Sequence, residues 1–292
     1  LSVYDDIFNA FSDTLIDQAD VVVDAIFGTG LDRDIEGETA AVVTAINDCL
    51  TPVISIDIPS GLNADTGSIM NQAIAADVTA TFIGLKKGMF TADGLQCAGK
   101  IEFNRLDVPV EAYQRIEQHT ALRLRLSKLN SALSPRKRNA HKGDYGHVLV
   151  VGGHKGYLGA ARMAAEASAR VGSGLVSIAT RAEHANQLSL TRPEIMSHGV
   201  ETLDALMPLI KRATVIAIGP GLGQSEWARL LLARVLESKL PLVLDADALN
   251  LLAKEQQQGA ANWVMTPHPA EAARLLDTDT QSIQANRFRA KQ

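Results

Sequence analysis

Apolar residues in this chain come in short runs separated by stretches of helical period, and that alternation predicts the architecture. Runs over residues 21–26, 53–57, 78–82 and 100–106 have the length and β-branched content of strands. Between the first two, Val42, Val43, Ile46 and Leu50 fall at helical spacing, which predicts a crossover helix with one buried face. A second block begins near His141, with strands predicted over 147–151, 175–179, 215–218, 242–244 and 263–265. Helices fill its gaps, among them an alanine-rich one over 160–171 and another over 227–236. Strand alternating with helix is the signature of a parallel sheet covered by helices on both faces. The expectation is α/β: two parallel-sheet, three-layer domains.

The pattern breaks over residues 111–138, where Arg123, Arg125, Lys128, Arg136, Lys137 and Arg138 concentrate positive charge. A solvated connecting face accounts for this better than an anion site does. The expected boundaries are a first domain over 1–115, a basic linker over 116–138 and a second domain over 139–292.

Composition narrows the function. At 292 residues and 46% hydrophobic, the chain can bury two aliphatic cores, and its net charge of -5 offers no basic face to nucleic acid. No apolar run is long enough to span a membrane. Cys49 and Cys97 read as free thiols of a reducing compartment, so a cytoplasmic location is expected. The chain opens on Leu1 within an amphipathic stretch, and residues 282–292 read as a helix still in progress. It is therefore expected to be a fragment truncated at both ends, with any targeting signal lost.

Candidate chemistry gathers where strands end. Two strands of the first block close on Asp24 and Asp57, the former leading into Gly28-Thr29-Gly30 and the latter into Pro59-Ser60-Gly61. Glycines let backbone N–H groups approach a phosphate, and carboxylate, hydroxyl and carbonyl oxygens together suit a hard cation. A single aspartate at a strand end is more often a turn or cap residue; the pair with Ser60 is more specific.

In the second block, Gly152-Gly153-His154-Lys155-Gly156-Tyr157-Leu158-Gly159-Ala160 follows a strand but lacks the spacing of a Walker or dinucleotide loop. A tight packing turn and a ligand loop account for it equally. Gly219-Pro220-Gly221-Leu222-Gly223 precedes a helix whose amino end favours an anion. Asp245, Asp247 and Asn250 follow the next strand, and His268 lies between Pro267 and Pro269, which hold its backbone extended. The other histidines show no metal spacing.

The first block, with Asp24-Ala25-Ile26-Phe27-Gly28-Thr29-Gly30-Leu31 and Asp57-Ile58-Pro59-Ser60-Gly61-Leu62-Asn63-Ala64-Asp65, resembles the later half of the Rossmann-like NAD(P)H-hydrate epimerase domain. The resemblance implies interconversion of R- and S-NAD(P)HX, the hydrated nicotinamide cofactors. It implies K+ ligation by Asp24 and Ser60. Substrate contacts would come from Gly28, Thr29, Gly30, Leu31, Asp32, Arg33, Asp34 and Asp57, with Asp57 the catalytic candidate. The family's earlier asparagine- and glycine-rich loop has no counterpart here.

The second block resembles the ADP- or ATP-dependent NAD(P)H-hydrate dehydratases of the ribokinase-like superfamily. Together the two blocks resemble the bifunctional repair family over nearly the whole chain. By this resemblance Ala160, Gly221 and His268 contact NAD(P)HX, Asp245, Asp247 and Asn250 line the same cleft, and Ala270 stands where the family has glycine. The implied partners are NAD(P)HX and an adenine nucleotide with Mg2+, without nucleic acid or membrane; a homo-oligomer is compatible with all of this. The dehydratase base would lie in a glycine- and aspartate-containing motif beyond Gln292. Two other readings remain, a ribokinase-like small-molecule kinase and a non-catalytic nucleotide-binding module.

Overall fold

The computed structural model describes residues 11–114, 121–125, 127, 135–256 and 259–291. The opening amphipathic stretch, Lys128 and most of the basic linker lie outside these residues. Contacts divide the chain into two compact units, Leu1–Lys128 with Gln284–Gln292, and Leu129–Ile283.

The first unit holds a four-stranded parallel sheet in the order β1-β2-β3-β4: Val22–Asp24, Val53–Ile56, Val78–Phe82 and Lys100–Asn104. Its register sets Asp24 beside Ser55 and Ser55 beside Thr79, so these three polar residues share the covered face. The helix Gly37–Asp48 buries Val43 and Ile46 in a cluster with Ile35, Val53 and Ile74. Leu50 does not join that face: the helix stops at Asp48, and the side chain is fully exposed. On the other face, Val23 and Ile56 stay exposed.

The second unit holds six parallel strands in the order β10-β9-β8-β5-β6-β7. They are β5 His147–Val151, β6 Leu175–Thr180, β7 Met196–Gly199, β8 Val215–Ile218, β9 Leu242–Leu244 and β10 Trp263–Met265. The chain begins at β5 in the middle, runs out to β7, then returns to β8 and continues to the opposite edge. Between β5 and β8 the order therefore reverses, and beyond the carboxyl ends of such a pair an open α/β sheet forms its ligand crevice.

Both faces of β5 are buried. Leu149 and Val151 pack with Ile216, Ile218 and the leucines of helices Glu226–Leu236 and Asp247–Glu255. Val150 faces Ala161 and Ala165 of helix Leu158–Arg170, small side chains that let helix and sheet approach closely. Each fully buried Leu, Ile or Val contributes roughly 1.5–3 kcal/mol of transfer free energy, so this sheet is a stiff platform for its loops.

Several local expectations are corrected. β7 was not foreseen, because Met196-Ser197-His198-Gly199 lacks an apolar run; it is held as an edge strand by backbone pairing with β6. The expected helix over 282–292 ends at Ala285 in Thr280–Ala285, followed by turns and the 3-10 segment Arg289–Lys291. Cys97 ends the helical turn Gly94–Cys97, and Cys49 caps the end of helix Gly37–Asp48. Both thiols are free, and burial, then the nearby Asp93 charge, pushes that of Cys97 up. The described basic residues of the linker, Arg123, Arg125, Arg136, Lys137 and Arg138, stay exposed, and two of them also make surface contacts: Arg123 stacks on Phe90 at 4.7 Å, and Arg136 stacks on Tyr145 at 4.0 Å while donating to the Gly172 carbonyl.

Candidate functional site

In the first unit, the carboxyl ends of β1, β2 and β3 bring the two aspartate loops together. Asp24 is buried, and its carboxylate accepts four hydrogen bonds: Ile26 N–H at 3.3 Å, Ser55 Oγ at 2.7 Å, Ser60 N–H at 2.8 Å and Ser60 Oγ at 2.5 Å. The Ser60 hydroxyl in turn accepts from Phe27 N–H at 2.8 Å and lies 3.3 Å from the Phe27 carbonyl. The sequence-predicted pair Asp24 and Ser60 is thus in direct contact, and it ties the Phe27 loop to the Ser60 loop.

This cluster is all oxygen on its acceptor side and carries one buried negative charge. Such a set fits a hard monovalent cation that takes Asp24 Oδ1, Ser60 Oγ and the Phe27 carbonyl, with the Ser60 O–H turned away. Among the described residues there is no group of three or more His, Cys, Asp or Glu that could hold a metal ion.

Gly28 and Gly30 have open space where a side chain would stand, so packing does not explain these glycines. Thr29, Asp32, Arg33 and Asp34 are exposed beside them, while Leu31 turns inward onto the Val43 cluster. Asp57, just past β2, has a left-handed backbone with φ 70°. Its Oδ1 accepts from Phe82 N–H at 3.0 Å, from Thr81 Oγ1 at 3.3 Å and from the Lys86 ammonium. Burial alone would raise this carboxyl, but the hydrogen bonds from Lys86 and Phe82 N–H and the Lys86 charge outweigh it and hold Asp57 below the usual carboxylate range.

In the second unit, the two glycine loops meet at the reversal between β5 and β8. Gly153 N–H donates to the Pro220 carbonyl at 3.2 Å, and His154 N–H to the Gly221 carbonyl at 2.6 Å. A Cβ placed on Gly221, whose φ is 60°, would lie 2.5 Å from the Tyr157 carbonyl and 3.3 Å from the Ala160 Cβ, so Ala160 and Gly221 stand side by side. Two side chains not singled out from the sequence hold the first loop from beneath: Thr180 Oγ1 donates to the Gly153 carbonyl at 2.7 Å, and His184 Nδ1 lies 3.1 Å from the same oxygen, placed to donate to it. Thr180 closes a strand whose other polar residue is Ser177, and that polar ending is the available signal.

The next two loops are tied on in turn. Gly223 N–H donates to Asp247 Oδ2 at 2.8 Å, and Thr266 Oγ1 to Asp245 Oδ1 at 2.8 Å. Between the two aspartates, Ala246 has φ 47°, a conformation that costs an L-residue about 1 kcal/mol or more. Asn250 is turned aside, its Oδ1 accepting from Arg274 at 2.7 Å.

His268 is extended, as its flanking prolines predict, and caps helix Pro269–Leu275. Ala270 N–H donates to its Nδ1 at 3.1 Å, so the ring proton belongs on Nε2, which lies 3.1 Å from Glu271 Oε1. Glu271 is buried and also accepts from His268 N–H at 3.0 Å. With both nitrogens engaged, the half-exposed imidazole offers a ligand its face and carbon edge. Glu271→Ala should therefore release Nε2 and lower the second domain's stability by about 1–2 kcal/mol through loss of the capping box. Urea unfolding with long-range 15N spectra of the ring checks both effects; an unchanged His268 tautomer exchange rate and midpoint would refute them.

Two parallel sheets with loops gathered at their carboxyl edges, the second with a strand-order reversal under paired glycine loops, define a protein of the three-layer α/β class built from two units. A solved ribokinase-like superfamily protein from Enterococcus faecalis aligns at a TM-score of 0.50 and 30% identity, covering 54% of this chain and 58% of that one. A hypothetical protein from Streptococcus mutans aligns at 0.51 and 32%, covering 55% and 59%.

Residues 148–292 match the family described as NAD(P)H-hydrate dehydratase, and residues 2–88 match the family described as YjeF-related protein N-terminus. A relative from Coxiella burnetii named bifunctional NAD(P)H-hydrate repair enzyme Nnr is 45% identical over 280 residues, covering 96% of this chain and 57% of its own length. Residues 148–292 and 2–88 thus belong to those two families, and nearly the whole chain is similar to proteins named bifunctional NAD(P)H-hydrate repair enzyme. The chain spans about half the length of the curated relatives it matches.

Proposed function

We propose that this chain works in nicotinamide cofactor repair: its first domain, over 1–115, interconverts R- and S-NAD(P)HX, and its second, over 139–292, takes part in ADP- or ATP-dependent dehydration of the S form. The observation that carries the reading is the lacing of the Gly153 and Gly221 loops at the β5–β8 reversal, which sets Ala160 and Gly221 side by side. There the second domain holds NAD(P)HX, with His268 contributing its ring face. Dehydration proceeds by phosphorylation of the hydrate hydroxyl and elimination of phosphate, chemistry that depends on positioning and charge neutralisation.

In the first domain, Gly28, Thr29, Gly30, Asp32, Arg33 and Asp34 form the exposed substrate loop beside Asp57. Leu31 anchors that loop to the core. Asp24 and Ser60 hold K+, which supplies a fixed positive charge near the substrate's phosphates. Mg2+ arrives with the nucleotide phosphates. The residues 116–138 link the domains, and the protein acts in the cytoplasm; among the described residues no helix is long and apolar enough to cross a membrane.

The test separates the two activities. In a protein that also carries the glycine- and aspartate-containing motif expected beyond Gln292, Asp57→Asn is expected to slow R/S interconversion by about 100- to 10,000-fold and leave nucleotide-dependent NADH formation from S-NADHX unchanged. His268→Ala is expected to do the reverse. Chromatography of the epimers and absorbance of regenerated NADH read both; a protein that performs neither reaction, or loses dehydration with Asp57→Asn, sinks the assignment.

A further inference from the structure

Lys86 follows β3 by four residues, and its position there is costly. The chain leaves β3 through Ile83, a β-branched residue at φ 63°, and meets Asp57 at φ 70°. Both conformations are strained, and a left-handed β-branched residue is a genuine outlier. Ile83 is held there by its N–H donating to the Asn104 carbonyl at 3.0 Å and by Tyr113 Oη donating to its own carbonyl at 2.7 Å. The turn brings the Lys86 ammonium back onto three acceptors: Asp57 Oδ1, Thr81 Oγ1 at 3.1 Å and the Phe82 carbonyl at 3.0 Å. The ammonium is thereby saturated and the lysine side chain is largely buried, at 15% exposure.

Stability does not account for this arrangement. Ion pairs withdrawn from water repay little of their desolvation, and here backbone strain is added. The carboxylate is also used unevenly. Oδ1 takes Lys86, Thr81 and Phe82 N–H, whereas Oδ2 has no hydrogen-bond partner among the described residues, and the side chain is 30% exposed.

We propose that Lys86 is the positioning residue of the first domain's site, clamping Asp57 through Oδ1 so that Oδ2 stays open and ionised as the proton acceptor for the substrate hydroxyl. This rests on the epimerase reading. The hydrate carries its hydroxyl on the carbon bonded to the ring nitrogen. Asp57 Oδ2 takes the O–H proton, the oxygen's electron pair forms a C=O bond, and the C–N bond breaks with its pair moving onto the nitrogen and into the conjugated carboxamide. Rotation about the adjacent C–C bond and reclosure on the other face return the proton and invert the centre. Atoms and electrons balance without a further reactant, and an ionised acceptor is what the first step needs.

The groups facing Asp57 are the Lys86 ammonium, the Thr81 hydroxyl and the Phe82 N–H, so the clamp predicts its titration. Because the folded carboxyl lies below its unfolded value, its stabilising contribution is present above the usual carboxylate range and fades as pH falls through the folded value. Carboxyl 13C titration of the 292-residue chain should place Asp57 below that range. In Lys86→Met burial is opposed only by the Phe82 N–H and the Thr81 hydroxyl, so the value should rise, while Lys86→Arg should keep it low; Lys86→Gln serves should Lys86→Met not fold.

The acid limb of the epimerisation pH profile should move with the carboxyl, each tenfold gain in proton affinity lowering the rate on that limb about tenfold. Rescue by arginine separates positioning from mere support of the fold. An Asp57 titration indifferent to Lys86→Met and Lys86→Gln overturns the proposal, as does an acid limb that stays put while the carboxyl shifts. If the clamp titrates as described but the unsubstituted chain interconverts no epimers, the epimerase reading fails and the clamp stands.

Discussion

Gly219→Ala is expected to destabilise the second domain by about 4 kcal/mol, combining a disfavoured backbone with overpacking against a fixed neighbour. Gly219 has φ 126°, and a Cβ there would lie 1.7 Å from the Asp245 carbonyl oxygen, a backbone atom at the end of β9. No rotamer relieves such a clash; the β8 loop must leave the β9 loop. Asp245 N–H donates to the Ile218 carbonyl, so the shift also strains the β8–β9 pairing next to the ligand crevice. Both tryptophans, Trp227 and Trp263, lie in this unit, so denaturant unfolding followed by their fluorescence reads it directly. A midpoint lowered by less than about 1 kcal/mol equivalent would mean that the loops are not packed as described.

The first domain has a comparable weak point in Asp24→Ala. The substitution removes one acceptor group and leaves Ser55 Oγ, Ser60 Oγ, Ser60 N–H and Ile26 N–H without their partner. Each buried polar group left unpaired costs about 1–3 kcal/mol before water enters, so a loss of about 4 kcal/mol is expected. Asp24→Asn keeps an acceptor oxygen and should cost less. No tryptophan reports on this unit, so amide exchange of β1–β3 is the measurement. Potassium in place of sodium should slow that exchange in the unsubstituted protein and have no effect in Asp24→Ala. Equal exchange in the two salts for the unsubstituted protein would count against cation binding at Asp24 and Ser60.

The strands were legible wherever β-branched residues cluster, because side-chain shape and burial on a parallel sheet coincide there. Val53–Ile56, Val78–Phe82, His147–Val151 and Val215–Ile218 follow their runs to within a residue. β7 was not legible, since its pairing is made by backbone groups common to every residue. Leu50 fits a helical period that the chain does not continue long enough to use. In the sites, the residues at strand ends could be found from spacing, but Lys86, His184 and Glu271 could not. Their roles depend on where a turn or a neighbouring strand returns, and no local pattern encodes a contact such as Lys86 with Asp57.

The hydrogen bonds joining the β5 and β8 loops have a consequence for motion. Gly153 and His154 donate to the Gly221 segment, and Gly223 donates to Asp247 on the far side. Opening the crevice at one loop breaks bonds belonging to the others, so the three segments should fluctuate as one unit rather than flap separately. A molecule settling on any of them would quiet all three, so that contacts made at one loop are felt at the others without a shared side chain.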